Sequence, residues 1–401
     1  MTSAQPRQRA VHAPVALAVA AGAALLALVG HAVVLTIWPD AHTLLIDLEV
    51  YRAGGRYLLD GRPLYEHGVV LDLLPFVYPP VAAVLFAPLA LLPMPVLKVL
   101  WTALGLVLLA LVARRCARAV GVPAGPPTVA AVVLVTALAT WLDPVRTTLY
   151  LGQINIVLLA LVAGDLLGRR DSRWRGVGLG LAAAVKLTPL LFVAFLLLRR
   201  QYRAAATAVG TFVAAGALGF LLAPADSVRY WLRGTFAAAD RIAAVDGNAN
   251  HSVNGLVTRL LGPGPVATAV YLVCAALLVA ATLAVAVRLA DRGEEVLALS
   301  LCGLCAAAAS PFAWSHHWVW VVPMLVALAA RGSWWGFAAV LGTTLAVITA
   351  LPGPVVGPIP STGVISFFPD AYLVVFVVVL GVVGFGARGG MPRAFEGPPA
   401  V

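Results

Sequence analysis

Apolar residues run through this chain in continuous blocks of about 20, broken by short clusters of arginine, proline and glycine. Blocks of that length match the roughly 20 residues an α-helix needs to cross a bilayer core. They lack the period-two alternation of a transmembrane barrel. At about 30 residues for each span with its loop, the chain is predicted to be an all-α polytopic membrane protein. It would hold about 10–13 transmembrane or half-membrane helices in one integral membrane domain covering residues 1–401. The first block, from about Pro14 to Ile37, follows Arg7 and Arg9 and is too long for a signal-peptide core. It predicts an uncleaved anchor with a cytoplasmic N-terminus.

Two segments break the pattern. Gly176 to Leu198 is one apolar run with arginine clusters at both ends and Lys186 and Pro189 in its middle. Each half is about 10 residues, roughly 15 Å, so two half-helices entering and leaving on the cytoplasmic side fit better than one span. Val77 to Pro93 is short and carries Pro79, Pro80, Pro88 and Pro93. If it and the following run to Val112 both crossed, Arg114, Arg115 and Arg118 would land outside; a broken or re-entrant element there is the favoured reading. Irregular backbone at membrane depth needs protein or a water-filled cavity around it, so both segments point to a cavity.

Composition sharpens this. The chain is 62% hydrophobic and 11% charged, against roughly 25% charged in ordinary soluble domains. Its mean hydropathy is +0.97, which excludes a soluble globular fold. The net charge of +10 does not indicate nucleic acid, because the basic residues sit between apolar runs and form no stripe with interleaved aromatics. Seventeen of the 27 basic residues fall in clusters assigned to the cytoplasm, from Arg7 and Arg9 to Arg388 and Arg393, which places both termini there. Outward loops are then expected at about 38–76, 142–153, 224–265 and 351–370. Eleven of the 17 acidic residues lie on that side; no topological rule demands this, and function is a candidate reason. The four cysteines form no disulfide framework, and Cys302-x-x-Cys305 inside an apolar run reads as helix packing.

Several residues could carry chemistry. Asp47, just beyond the first span, could serve as a general base on a hydroxyl group, or could be a loop carboxylate paired with Arg52 or Arg56. His316 and His317 adjoin Trp314, Trp318 and Trp320, which read first as an interfacial aromatic belt. Two histidines are too few for a metal site, so bonding to phosphate or sugar is expected of them, with no metal and no cofactor. Arg146 could hold a phosphate, and Gln153 and Asn155 could bond a sugar or cap a helix. Lys186 either reaches an anionic group or snorkels to the cytoplasmic surface. Tyr51, Arg52, Tyr78, Asn250 and His251 join Trp314 and Trp318 as candidates for sugar or acceptor contacts.

The ordered set Asp47-Leu48-x-Val50-Tyr51, Tyr78-Pro79-Pro80, Asp143-Pro144-x-Arg146, Gly152-Gln153-Ile154-Asn155, Lys186-Leu187-Thr188-Pro189, Asn250-x-Ser252 and Ser310-Pro311-x-x-Trp314-Ser315-His316-His317-Trp318-x-Trp320 resembles glycosyltransferase family 87. These are polyprenol-phosphate-mannose-dependent α-(1→2) mannosyltransferases of actinobacteria, within the GT-C superfamily. The resemblance spans about residues 45 to 325. It implies a GT-C-type fold, an outward-facing active site, a polyprenyl-phosphate-mannose donor, and a glycolipid or lipoglycan acceptor such as a phosphatidylinositol mannoside or lipomannan. It places the catalytic aspartate on Asp47 and the active-site histidine on the His316/His317 pair. Asp47-x-Glu49 is not read as a metal-binding Asp-x-Asp. A polyprenyl phosphate leaves without a general acid, so one base and a few cations suffice, and attack from the opposite face inverts the anomeric centre. Two other classes compete: a lipid or sugar transporter or flippase, which also uses broken helices, and a non-catalytic envelope scaffold. Against the transporter stand the missing inverted repeat and the carboxylates gathered in outward loops.

Overall fold

The computed structural model describes residues 5–37, 45–70, 72–238, 243–345 and 368–386. Most of the loop expected at 351–370, the beginning of the one at 38–76, and Arg388 and Arg393 lie outside these. The described residues are helical, with only isolated bridges and no β-strand. Among the described residues, four helices are long and apolar enough to cross a membrane: the Pro14–Val34 part of α1 (Gln5–Ile37), and α4, α10 and α13 introduced below. Their outer faces expose residues such as Leu26 (74%) and Leu277 (66%), surface that only lipid covers without cost. The protein is an integral membrane protein.

After α1 the chain forms α2 (Ile46–Leu59), an amphipathic helix with Leu48 and Tyr51 buried and Glu49 exposed. Next come α3 (Pro80–Phe86) with a tight turn to Leu91, and the long α4 (Met94–Ala119). The α3 segment does not cross. Arg52 Nε donates to the Leu92 carbonyl at 3.2 Å, and a Cβ on Gly55 would stand 2.6 Å from the Phe86 carbonyl oxygen, so 80–92 lies along α2. The long helix α4 therefore starts on the face where α2 lies, and a single crossing carries Arg114, Arg115 and Arg118 to the opposite, arginine-bearing face. That resolves the conflict in the sequence.

The chain returns through α5 (Pro126–Ala139) to α6 (Asp143–Leu151) and α7 (Asn155–Leu166), which meet at a 118° bend. The segment expected as an outward turn at 142–153 is instead a short helix, nearly all buried. The reason is internal pairing: Asp143 and Arg146 face each other, and Thr148 bonds back to the Pro144 carbonyl.

Half-helices α8 (Val177–Val185) and α9 (Leu191–Leu198) follow, separated by Lys186 and a turn at Thr188–Leu190. Both outer ends lie in one cluster. Arg175 bonds the Asp165 and Leu166 carbonyls and Gln201, while Arg199 pairs with Glu295 at 2.9 Å. Two helices of nine and eight residues that begin and end together enter and return, as the paired arginine clusters implied. The neighbouring helix α10 (Tyr202–Leu222) packs along α8 through small residues; a Cβ on Gly180 would stand 2.5 Å from the Ala208 carbonyl oxygen.

The remainder comprises α11 (Pro224–Ser227), α12 (Val253–Leu261), α13 (Pro265–Asp291), α14 (Glu295–Ala308), α15 (Val321–Arg331), α16 (Trp334–Thr344) and α17 (Ala371–Gly386). Arg331 pairs with Glu294 at 2.5 Å, closing the arginine-bearing face. Buried Cys302 and Cys305 pack within α14.

Candidate active site

Asp47 stands in the first turn of α2, where unpaired helix N–H groups favour a carboxylate. Its principal partner comes from the α6–α7 corner. Gly152 makes that corner at φ 69°, and a Cβ there would lie 2.7 Å from the Leu48 Cβ. Glycine alone permits the approach, and the next residue, Gln153, reaches Asp47 as a hydrogen-bond partner.

Gln153 is itself buried and held from behind. Its Oε1 accepts from the Tyr51 hydroxyl at 2.8 Å and lies 3.3 Å from the Tyr78 hydroxyl. The Tyr51 oxygen accepts from the Ile154 N–H at 3.2 Å and stands 2.9 Å from the Tyr78 hydroxyl. Tyr65 donates to the Tyr78 carbonyl at 2.7 Å. Phe86 stacks on Tyr51 with ring centres 4.6 Å apart.

Across from this network, Lys186 stands at the break between α8 and α9. Its Nζ donates to Asn155 Oδ1 at 3.2 Å and lies 2.7 Å from His317 Nε2. One amide of the Gln153-x-Asn155 pair thus serves Asp47 and the other serves Lys186. A small cavity beside them is lined by Asn155, Lys186, Thr188, His317 and Trp320.

Burial raises the Asp47 carboxyl from 3.8 to about 6, against the Gln153 hydrogen bond and the positive charge of Lys186, which lower it. Asp47 is therefore ionised at neutral pH yet basic enough to take a proton. Burial, then the Lys186 charge, holds both His316 and His317 well below the ordinary imidazole range, so both rings are neutral.

His316 is buried, its ring 4.8 Å from that of His317 and 6.2 Å from that of Trp314. Neither of its ring nitrogens has a partner among the described residues, and the same holds for Asn155 Nδ2, Arg146 Nε and Trp318 Nε1. Buried polar atoms are nearly always bonded, so these orphaned groups are candidates for contact with a polar ligand. Arg146 faces Asp143 at 3.7 Å; Asp143 also accepts from Thr147 at 3.2 Å and from Tyr372 of α17 at 3.0 Å.

The structure thus gathers Asp47, Gln153, Asn155, Lys186 and His317, with His316 and Arg146 adjoining. Other candidates form the frame. Arg52 holds Leu92. Asn250 is spent within the protein: its Oδ1 accepts from Ser252 and the Ala313 N–H, and its Nδ2 donates to the Val245 carbonyl. His251 bonds the Pro369 carbonyl at 2.6 Å. Trp318 and Trp320 are buried, not a belt at the interface. Trp318 packs on Tyr372 and Phe376, and Trp320 lies over Gly303, where the missing side chain makes room. Tyr372 gave no sequence signal, standing at the head of an ordinary apolar run.

The architecture is that of a helical membrane protein in which a half-buried carboxylate, Asp47, and a half-buried lysine at the break between two half-helices are drawn together by Gln153, Asn155 and His317. The chain belongs to glycosyltransferase family 87, whose family model matches residues 76–311. It is a glycosyltransferase, which sets aside the transporter and scaffold readings. It is 41% identical over 302 residues, 72% of this chain and 70% of the relative, to a polyprenol-phosphate-mannose-dependent α-(1-2)-phosphatidylinositol mannoside mannosyltransferase of Mycobacterium tuberculosis. To the protein of the same description in Mycolicibacterium smegmatis it is 39% identical, over 77% of this chain and 76% of the relative. A Mycolicibacterium smegmatis enzyme described as acting on phosphatidylinositol pentamannoside is 32% identical over 86% of each chain. No solved structure matches the chain.

Proposed function

We propose that the protein transfers a mannosyl group from a polyprenyl-phosphate-linked donor to a hydroxyl of a phosphatidylinositol mannoside or related lipoglycan, forming an α-(1→2) link with inversion. The active site faces the extracytoplasmic side, with both termini in the cytoplasm and the whole chain acting as one membrane domain. Donor and acceptor classes follow from the relatives. The observation that carries the chemistry is the opposition of Asp47 and Lys186, a base and a cation coupled by charge in one half-buried site.

Asp47 takes the proton of the acceptor hydroxyl as its oxygen forms a bond to the anomeric carbon. The bond from that carbon to the phosphate oxygen breaks, and the electron pair leaves with the polyprenyl phosphate. Lys186, oriented by Asn155 and His317, meets the charge growing on that phosphate, and Arg146 and His316 offer further donors. Such preorganised charges cost no reorganisation at the moment of reaction.

The test is transfer from polyprenyl-phosphate mannose to phosphatidylinositol mannosides in nanodiscs, with purified wild type beside Asp47→Asn. Transfer by the wild type and its loss in a folded, equally expressed variant support the reading. Equal activity in both moves the base elsewhere, and an inert wild type removes the donor assignment.

A further inference from the structure

We infer that Gln153 is a positioning residue that acts on the reaction through Asp47, with Tyr51 and Tyr78 fixing which end of its amide faces the carboxylate. The inference rests on reading Asp47 as the base.

The two ends of an amide are chemically opposite: the nitrogen donates and the oxygen accepts. Only the nitrogen end can stabilise a carboxylate; a flipped amide would set two acceptors against each other. The positions of the hydroxyl protons decide the matter. The Tyr51 oxygen receives the Ile154 N–H, which leaves its own proton for Gln153 Oε1 at 2.8 Å or for the Tyr78 oxygen, whose proton then turns to Oε1. The Tyr78 proton has the Tyr51 oxygen at 2.9 Å and Oε1 at 3.3 Å. Either choice supports the same amide orientation. The oxygen of Gln153 is engaged from behind, and its nitrogen is left for the carboxylate.

The support is dry and rigid. Tyr51 is fully buried, Tyr78 nearly so, and Phe76 and Phe86 pack against the Tyr78 ring. The corner glycine, Gly152, seats the whole group on α2. This changes the part given to three residues offered by the sequence as ligand contacts: Tyr51 and Tyr78 spend their hydroxyls on Gln153, and Gln153 spends its nitrogen on Asp47. The Asp47 carboxylate is then held in one rotamer, with its remaining lone pairs available to an acceptor hydroxyl. Geometry at a base matters because proton transfer needs hydrogen-bond reach in the reacting complex.

The experiment measures mannosyl transfer by the full-length protein in nanodiscs between pH 5 and 9, comparing wild type, Gln153→Leu, Tyr78→Phe and Asp47→Asn. Gln153→Leu removes a hydrogen bond to the ionised carboxylate, so the acid limb of kcat/KM moves up by about one pH unit. The rate drops about tenfold at pH 5 but only about twofold at pH 7, and recovers as the pH rises further, while the donor KM stays within about twofold. Tyr78→Phe keeps the ring and its packing, deletes only the hydroxyl, and moves the limb the same way by less.

A donor KM raised about tenfold with the limb unmoved makes Gln153 a substrate contact and overturns the inference. A loss of rate equal at every pH in both variants makes its role structural only, and also overturns it. Full activity in Asp47→Asn is a different failure, that of the base itself, and is recognised because the acid limb then survives without the aspartate.

Discussion

The hydroxyl of Tyr372 donates to Oδ2 of Asp143 at 3.0 Å, tying α17 to the residue that faces Arg146. The two residues are 229 positions apart. Tyr372 shares Asp143 with Thr147 and Arg146, and the Asp143–Arg146 contact is a loose 3.7 Å. Removing the hydroxyl in Tyr372→Phe frees one oxygen of Asp143 to close on Arg146 and compete with a bound phosphate. The donor KM is expected to rise about fivefold, with a stability loss of about 1 kcal/mol for the lost hydrogen bond. Adding Asp143→Asn should restore much of the KM; a double variant no better than the single one would refute the competition.

The Asp47 carboxyl, raised by burial to about 6, should set the acid side of the activity profile if it is the base proposed above. Below about pH 6 it is protonated and cannot accept the acceptor's proton, so kcat/KM should fall about tenfold per pH unit. The same shift acts on stability with a definite sign. The folded chain binds this proton more tightly than the unfolded one, so the contribution is present below about pH 4 and is lost as pH rises toward about 6. At neutral pH the buried carboxylate costs on the order of 2–3 kcal/mol. Asp47→Asn should therefore be inactive yet melt above wild type at pH 7.5, with the difference shrinking near pH 4. A variant that melts lower at pH 7.5 would contradict this.

Lys186 couples to Asp47 by charge and to His317 at 2.7 Å. Lys186→Met keeps the bulk of the stem and deletes the charge. Its kcat should fall by roughly 100-fold, the scale for losing one preorganised contact to a developing anion. Its acid limb should also move to higher pH, because the cation that favours the ionised Asp47 is gone. Loss of rate with the limb in place would disconnect Lys186 from Asp47.

Gly152 joins backbone and packing demands at one position: φ 69° and a Leu48 Cβ 2.7 Å from where its own Cβ would stand. Gly152→Ala should lower stability by about 1–3 kcal/mol and reduce transfer by displacing Gln153. Combining it with Leu48→Ala does not open that approach, since alanine keeps its Cβ, whereas Leu48→Gly does. The Gly152→Ala/Leu48→Gly pair should therefore show a favourable coupling in a double-mutant cycle, and strict additivity would argue that backbone strain alone is responsible.

Much of the architecture was legible because hydropathy reports on solvent directly. Continuous apolar blocks with arginine clusters at their ends read as membrane helices, and a lysine and a proline together in the middle of such a block favour two half-helices over one span. Hence the return of Gly176–Leu198 was readable, whereas the sequence left Lys186 open between an anionic partner and the membrane surface. The direction of the Pro80–Leu91 segment was not, because composition counts length without saying whether a short helix crosses or lies flat. Its contacts with Arg52 and Gly55 decided that.

The sequence by itself determined the class of fold, the family resemblance and the chemical types at the site. Tertiary structure alone decided which polar atoms face one another. Tyr51, Tyr78 and Asn250 look like ligand contacts in a string of letters, yet their polar groups are used by Gln153, Ser252 and Ala313. Trp318 and Trp320 look interfacial and are core. The physical reason is that a local pattern encodes period and solvent preference, whereas a hydrogen-bond partner is chosen by the packing of segments far apart in the chain.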